Sequence, residues 1–333
     1  MSSMYPEAGL RLLRYSRLIK GDTLAPTSIS DVKNLCSYRW IESRVPIIAV
    51  PDSGPFYIAQ NAARHPDSPL EPLFRALYTN RPSFDIHSVD LVSDRNNIWK
   101  LMSFVNPSLE RDKLEVFTIE VEVTQDTSIF CRVETATFEV IGPNMFKGYR
   151  SEFEEAYATE IVENGGMRIL LRYETDGYIQ SPVEDNEEAS SMPEPHRLLS
   201  SKPPYAASDQ SALMIKEEGR QAVAPDSILE IKTLSQTLNL VRAYHNHGLF
   251  DYPNVETVAD KLIEWEESHH ADLAKLTALI KTIISVVKEN GGKAFVRYNE
   301  ERDKLAVWKD DNRKKLLPDD LYARFEKGEC CLA

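Results

Sequence analysis

Two carboxylates end an apolar run in the middle of the chain. Residues 169–173 have the composition of a buried strand, and Glu174-Thr175-Asp176 follows them directly. Because side chains alternate between the two faces of a strand, Glu174 and Asp176 are expected to point to the same face. The same spacing recurs in Glu230-Ile231-Lys232, which ends a second short apolar run. Two such strands side by side would line a pocket that suits a hard divalent cation and a phosphate group.

The composition is that of a globular protein with an excess of acidic residues. The chain has 333 residues, of which 42% are hydrophobic, and its net charge is −13. That charge argues against a broad basic surface that grips long nucleic acids, since phosphate contacts dominate such binding. It is compatible with an enzyme that captures one nucleic-acid end in a pocket.

The sequence carries no sign of membrane insertion or secretion. No apolar run is long enough to span a bilayer, and residues 1–6 lack the basic and apolar parts of a secretory signal. The cysteines have neither a metal-ligand spacing nor the pattern of a disulfide framework; they are Cys36, Cys131, Cys330 and Cys331. We therefore expect an intracellular protein, in the nucleus or the cytoplasm, without stable membrane insertion.

Periodic patterns predict both strands and helices. Strands are predicted at residues 86–92, 116–123, 128–134, 168–173, 227–232, 238–244, 294–298 and 305–308. Helices are predicted at 95–103 with Asp94 as the N-cap, at 152–160, and at 255–290, where Gly291-Gly292 ends an apolar stripe. The predicted fold class is α+β, with mixed, largely antiparallel sheets flanked by helices.

Proline and polar segments suggest how the chain is divided. Within residues 1–60, long elements are broken by Pro26, Pro46, Pro51 and Pro55, and we expect an irregular segment with one short edge strand at 45–51. Residues 61–328 are predicted to form a single catalytic-type domain, followed by a tail at 329–333. Within that domain, residues 179–226 have few recurring apolar positions, which predicts a disordered insertion.

The order of the charged motifs resembles that of the decapping exonuclease (DXO) family, and most of all its divergent fungal branch. The matching residues are Arg95 in Asp94-Arg95-Asn96-Asn97, Glu152 in Gly148-Tyr149-Arg150-Ser151-Glu152, Glu174 and Asp176 in Glu174-Thr175-Asp176, Glu230 and Lys232 in Glu230-Ile231-Lys232, and Gln236. The resemblance implies a core similar to that of the PD-(D/E)XK nucleases. Two departures are Ser151, where the family tends to have an aromatic or apolar residue, and the three residues between Lys232 and Gln236, where the family has a longer segment with a helix.

The resemblance also implies a role for each residue in a two-metal hydrolysis with Mg²⁺ or Mn²⁺. The implied ligands of the two ions are Glu152, Asp176, Glu230 and the backbone carbonyl of Ile231, with Glu174 holding a metal-bound water. Lys232 would orient the attacking water, and Gln236 would complete the catalytic group. Arg95 would bind a substrate phosphate through its planar guanidinium.

The implied activity is metal-dependent hydrolysis at an RNA 5′ end, which covers decapping, pyrophosphate removal and 5′-to-3′ exonuclease action. One alternative is a catalytically degenerate member of the family that binds another nuclease as its partner. Another is an enzyme that acts on a small diphosphate. Taken singly, each motif also has a structural explanation, such as a solvated strand end for Glu174 and Asp176 or a surface salt bridge for Glu230 and Lys232.

The last four residues fit a prenylation signal. Cys330-Cys331-Leu332-Ala333 has the spacing of such a box, although residues 325–329 are not polybasic. Lipidation at Cys330 is therefore kept as a minor alternative to a free carboxyl terminus.

Overall fold

A computed structural model provides the structure of the protein. It describes residues 11–14, 27–41, 47–51, 65, 67–109, 114–133, 156–164, 166–175, 177–178, 214–218, 228–230, 239–242, 245–246, 249–250, 254–299, 304–310 and 314–326.

Eleven of the described strands form one large sheet. They are β1 (Arg11–Arg14), β2 (Ile29–Ile41), β3 (Ile47–Pro51), β4 (Leu91–Asp94), β5 (Phe117–Thr124), β6 (Thr127–Arg132), β7 (Ala156–Asn164), β8 (Met167–Thr175), β10 (Met214–Glu218), β16 (Lys293–Tyr298) and β17 (Lys304–Lys309). Their spatial order is β1-β17-β16-β5-β6-β4-β8-β7-β2-β3-β10. The central strand β4 is parallel to both of its neighbours, β6 and β8, and β3 is parallel to β10. The other pairs of the sheet are antiparallel.

Shorter strands form two further groups. They are β9 (Gly177–Tyr178), β11 (Ile228–Glu230), β12 (Asn239–Arg242), β13 (His245–Asn246), β14 (Leu249–Phe250) and β15 (Asn254–Thr257). Four of them make a second sheet in the order β15-β12-β11-β9, and β13 pairs with β14.

Helices cover both faces of the large sheet. They are α1 (Glu71–Asn80), α2 (Arg95–Val105), α3 (Ala259–Glu289) and the single turn α4 (Asp319–Tyr322). The long helix α3 ends at Glu289 and is followed by Gly291 and Gly292, whose φ angles of 99° and 81° are readily adopted only by glycine. None of the helices in the described ranges combines the length and the apolar character that crossing a bilayer requires.

The sheet separates two apolar cores. On what we call the α3 face, residues of α2 and α3 pack against the sheet, including Leu101, Leu279, Ile280 and Ile283. The opposite α1 face is covered by α1 and by residues 314–326, a segment that we call the C-terminal clasp. Successive residues of one strand belong to opposite cores, as Leu91 and Val92 of β4 do. A central strand buried on both faces is typical of the parallel part of a sheet.

The predicted fold class is confirmed, since the sheet is mixed, largely antiparallel and flanked by helices. The hairpins β5–β6 and β16–β17 and the helix α3 lie close to their predicted positions. The helix predicted at 152–160 is wrong where the structure describes it, because residues 156–164 form β7. In β7, Tyr157, Thr159 and Ile161 are residues that favour strands, and pairing on both sides with β8 and β2 decides the outcome.

Other differences come from long-range strand pairing. The supposedly irregular residues 1–60 contribute β1, β2 and β3 to the sheet. The strand near residues 45–51 is not at the edge, because β10 pairs with its outer side. That partner lies within residues 179–226, where the sequence predicts no regular structure. The rest of this insertion lies outside the described residues, and the division into domains stays a prediction. At 86–92, a 3-10 turn over Ile86–Ser88 precedes β4.

Candidate functional site

The carboxyl ends of β4 and β8 lie side by side. The two strands are parallel, and their last paired residues are Asp94 and Arg172. Arg95, the predicted phosphate ligand, follows Asp94 immediately and begins α2. Glu174 lies two positions beyond Arg172 in β8. The carboxyl edge of neighbouring parallel strands is where α/β proteins commonly place ligands, and two of the predicted site positions meet at this edge.

The second sheet brings another predicted position to the same region. β9 begins one residue after Asp176 and pairs antiparallel with β11, with Leu229 opposite Gly177. Glu230 follows Leu229 in β11, so it adjoins this paired step. β11 also contacts β8. The backbone thus brings together the chain segments that carry Glu174 and Glu230, although the two residues are 56 positions apart in the sequence.

A buried ion pair holds the carboxyl ends of β4 and β8 together. Nε of Arg172 donates to Oδ1 of Asp94 at 2.5 Å, and the exposed fractions of the two side chains are 9% and 14%. Nη1 of Arg172 donates to the backbone carbonyl of Pro69, also at 2.5 Å. Sequence reasoning missed this pair. The signal for it was an arginine inside the apolar run 169–173, since a buried guanidinium requires an acidic partner.

The ion pair corrects the prediction that Asp94 caps α2. Asp94 occupies the N-cap position with extended backbone angles, but its side chain makes no capping hydrogen bond. Its carboxylate is engaged by Arg172 instead. Helix α2 is held to the sheet by Asn97, whose amide nitrogen donates to the carbonyl of Phe130 at 3.0 Å and to the hydroxyl of Ser93 at 3.3 Å. The first residue of α2, Arg95, is therefore fixed relative to β4 and β6.

Most of the predicted site residues lie outside the described residues. These positions are Glu152, Asp176, Ile231, Lys232 and Gln236. For Glu174 and Glu230 the structure describes the backbone. In the described ranges, no group of three or more histidine, cysteine, aspartate or glutamate residues is arranged to hold a metal ion. The convergence of the carboxylates and the metal site stay predictions.

A second buried carboxylate ties the C-terminal clasp to the sheet. Oε2 of Glu122, on β5, accepts a hydrogen bond from the hydroxyl of Tyr322 at 2.8 Å and from the backbone nitrogen of Leu316 at 3.3 Å, and it lies 3.1 Å from Nζ of Lys293. The hydroxyl of Ser68 donates to the carbonyl of Leu316 at 2.7 Å. Because Pro69 adjoins Ser68, a chain of polar contacts runs from the clasp to the Asp94–Arg172 pair.

Burial and nearby charges shift the pKa values of two carboxyl groups near the C-terminal clasp. Burial raises the pKa of Glu120 from 4.5 to about 7, and the negative charge of Asp310 adds to the effect. Arg75 donates to Asp320, which lowers the pKa of that carboxyl. The same guanidinium donates to Glu71 at 3.0 and 3.1 Å, so it connects α1 with α4.

The chain matches one family model and is similar in fold to several solved structures. A family model described as Domain of unknown function (DUF8563) matches residues 35–174 and 165–326. No curated protein matches the chain in sequence. Three solved structures similar in fold are Rai1 from S. pombe in complex with 3′-FADP, Rai1 from Candida albicans in complex with pU5-Mn²⁺, and Rai1 from Scheffersomyces stipitis in complex with (3′-NADP)⁺ and a calcium ion.

These similarities are structural and extend over nearly the whole chain. The S. pombe structure has a TM-score of 0.53 at 11% identity and covers 90% of this chain and 99% of its own. The C. albicans structure has a TM-score of 0.52 at 10% identity and covers 97% of this chain and 99% of its own. The S. stipitis structure has a TM-score of 0.53 at 9% identity and covers 96% of this chain and 98% of its own. Rai1 proteins belong to the DXO family, so the resemblance that the motifs indicated is confirmed at the level of the fold.

Proposed function

Because the chain belongs to the DUF8563 family and shares its fold with Rai1, we propose that it is a metal-dependent hydrolase of RNA 5′ ends. The observation that carries the proposal is the shared edge at the carboxyl ends of β4 and β8. Arg95 and Glu174 belong to the two strand ends that meet there, and the pairing of β9 with β11 adds the segment of Glu230. These positions are three of those that the motif order assigned to one site.

The proposed chemistry is hydrolysis with two divalent ions. Carboxylates of Glu152, Asp176 and Glu230 suit Mg²⁺ or Mn²⁺, which prefer oxygen ligands. Lys232 would orient the attacking water, Glu174 would hold a metal-bound water, and Gln236 would complete the catalytic group. Arg95 would bind a phosphate of the substrate, aided by its place at the first residue of α2, where backbone N–H groups favour an anion.

The charge of the protein and the ligands of the structural neighbours support the proposed substrate class. A net charge of −13 disfavours tracking along a strand and favours the capture of one end. The C. albicans Rai1 structure holds pU5-Mn²⁺, and the S. stipitis Rai1 structure holds (3′-NADP)⁺ and calcium. Both ligands combine a nucleotide with a divalent cation, which supports the same pairing here. Decapping, pyrophosphate removal and 5′-to-3′ digestion are the three reactions to separate.

The test is metal binding and cleavage in the full chain. Isothermal titration with Mn²⁺ should give carboxylate-dependent binding, and 5′-triphosphate, 5′-monophosphate and NAD-capped RNAs should be cleaved only when the metal is present. Asp176→Asn and Glu230→Gln keep the side-chain shapes and should lower turnover by more than about 100-fold. Glu264→Gln, at an exposed position of α3, is the matched control and should leave turnover unchanged. Unchanged turnover in both site variants would remove the assignment.

A degenerate binding protein is the second candidate, favoured by the three residues between Lys232 and Gln236. A chain of this kind would bind a partner nuclease and would show neither tight Mn²⁺ binding nor cleavage. An enzyme for a small diphosphate would instead hydrolyse geranylgeranyl diphosphate faster than any RNA in a parallel assay. We also propose that the protein resides in the nucleus or the cytoplasm. Lipidation at Cys330 is kept as a minor alternative to a free carboxyl terminus. Mass spectrometry of the protein isolated from its own cells tests the lipid.

A further inference from the structure

We propose that Asp94 and Arg172 are positioning residues, which fix the distance between the phosphate-binding start of α2 and the acidic end of β8. The inference rests on the proposed function, because it assigns a role within the same site. Neither Asp94 nor Arg172 is one of the matching residues that suggested the site. The argument depends on where the pair lies in the sheet, on its burial and on what each residue gives up to form it.

The pair spans the point at which two parallel strands separate. Asp94 and Arg172 are the last paired residues of β4 and β8. After Asp94 the chain leaves the sheet and enters α2, whereas β8 continues to Thr175. No further β4–β8 pairing follows to hold the two segments together. The 2.5 Å contact between Nε and Oδ1 thus joins the two strands at their last paired residues, next to Arg95 and two positions before Glu174.

Burying two charged side chains at this location costs desolvation free energy, and strand residues at such positions are usually apolar. The side chains of Arg172 and Asp94 are 9% and 14% exposed, and desolvation of two charges offsets much of their attraction. Central parallel strands normally carry valine, isoleucine or leucine at such positions. An apolar pair of similar volume would hold the strands at least as well. Stability alone therefore does not explain why the charged pair is present.

Each residue also gives up a simpler role. Aspartate at an N-cap ordinarily accepts hydrogen bonds from the first turn of its helix, and Asp94 makes no such bond. Arg172 uses a second nitrogen to bind the carbonyl of Pro69, just before α1. Its planar fork thereby joins three segments that are far apart in sequence. A fixed geometry at the strand ends is the gain that explains these contacts.

The ion pair should determine how precisely Arg95 and Glu174 are positioned relative to each other. Arg95 is adjacent to Asp94, and Glu174 is two residues from Arg172, so a change at the pair alters the separation of a phosphate ligand and a metal-site carboxylate. Misplacement of a catalytic group by about 1 Å lowers turnover by roughly 100-fold. The effect should fall on kcat and on Mn²⁺ affinity and should exceed the effect on stability.

The experiment uses the full chain and compares two single variants, which remove the charge of Asp94 or the planar fork of Arg172, with an apolar double variant. Asp94→Asn and Arg172→Lys test the pair singly, and Asp94→Leu with Arg172→Met replaces it by an apolar pair that keeps the strands packed. Asp319→Asn, which breaks the exposed Lys315–Asp319 pair, is the control. For each protein we would measure thermal melting, the Kd for Mn²⁺, kcat and KM on a 5′-phosphorylated RNA, and hydrogen exchange at residues 170–175 and 95–98.

The double variant gives the sharpest outcome. It should melt within a few degrees of the wild type, lose roughly 10- to 100-fold in kcat, bind Mn²⁺ more weakly and exchange faster at residues 170–175. Wild-type kcat, Mn²⁺ affinity and exchange in the double variant would overturn the inference. Losses of melting temperature alone in the single variants would also overturn it, since they would mark a merely structural pair. A wild-type protein that neither binds Mn²⁺ nor cleaves RNA would instead overturn the proposed function, and this inference with it.

Discussion

The two faces of the large sheet are stabilised in different ways. The α3 face is an apolar core in which residues of α2 and α3 cover the strands. All three charged residues that are buried in the described ranges contact the α1 side instead; they are Glu71, Glu122 and Arg172. Each of them has a partner of opposite charge, namely Arg75, Lys293 and Asp94.

The difference separates what holds the fold from what arranges the site. Burial of apolar area is not directional, so the α3 face stabilises the sheet without fixing particular atoms. Hydrogen-bonded charges are directional, and on the α1 face they connect segments that are far apart in sequence. Their chain of contacts leads from the C-terminal clasp through residues 68–69 to the strand ends at Arg172. The effects of substitutions on the two faces should therefore differ in size and in kind.

The largest effect on stability is expected on the α3 face. Ile280 is fully buried in the middle of α3, and Ile280→Ala removes three methyl or methylene groups and leaves a cavity. We expect the free energy of unfolding to fall by about 2–5 kcal/mol. Ile263 belongs to the same helix and is 59% exposed, so Ile263→Ala should change it by less than about 1 kcal/mol. Urea unfolding followed by circular dichroism measures both, and equal losses would contradict the assignment of the core.

A smaller effect is expected from the clasp. The hydroxyl of Tyr322 donates to Glu122 and accepts hydrogen bonds from the backbone nitrogens of Leu316 and Leu317 at 3.0 and 3.3 Å. Tyr322→Phe leaves these buried groups short of a partner, and we expect a loss of about 1–3 kcal/mol in the same unfolding measurement.

Tyr78 provides the matched control for that substitution. Its hydroxyl is buried with no hydrogen-bond partner in the described part of the chain, and burial raises its pKa to about 12. Because Tyr78→Phe removes an unsatisfied polar atom, it should be neutral or slightly stabilising. A Tyr322→Phe protein as stable as the Tyr78→Phe protein would show that the clasp contacts contribute nothing.

The sequence predicted those parts of the fold that depend on nearby residues. The β5–β6 and β16–β17 hairpins and α3 have partners or periodic stripes that a short window contains. β1 was missed, and β3 was predicted as an edge strand, because their partners β17 and β10 lie more than 160 positions away in the chain. A strand that pairs at such a distance leaves only a weak local pattern, since its stability comes from cross-strand neighbours.

The candidate site divides in the same way. The pattern of residues 94–103 predicted a helix that begins at Arg95, and the structure has it. The role of Asp94 was predicted wrongly, because its partner Arg172 is 78 positions away and the nearby N–H groups suggested a cap. Spacing within a motif indicates which residues share a face of one strand. It does not indicate which charges from two strands will be buried together, because that depends on the register between them.

The smallest effect should appear as a pH dependence on the α1 face. Glu120 lies on β5 two residues before Glu122, and burial raises its pKa from 4.5 to about 7, with Asp310 and Glu122 adding to the shift and Lys293 and Lys314 opposing it. In the folded protein Glu120 keeps its proton up to about pH 7, whereas the unfolded chain loses it near pH 4.5. Between these values the folded state binds more protons, so a rise in pH lowers the free energy of unfolding.

Glu120→Gln removes that titration, so its benefit should depend on pH. The variant should match the wild type near pH 4.5, become more stable than it as the pH rises to about 7, and keep a constant advantage above pH 7. We expect that advantage to be on the order of 1 kcal/mol, because a partly buried carboxylate keeps some of its hydration. Glu264→Gln, at an exposed position of α3, should run parallel to the wild type across the range. If the Glu120→Gln advantage were independent of pH, it would come from packing, and the carboxylate of Glu120 would not be held in a costly position by the α1 face.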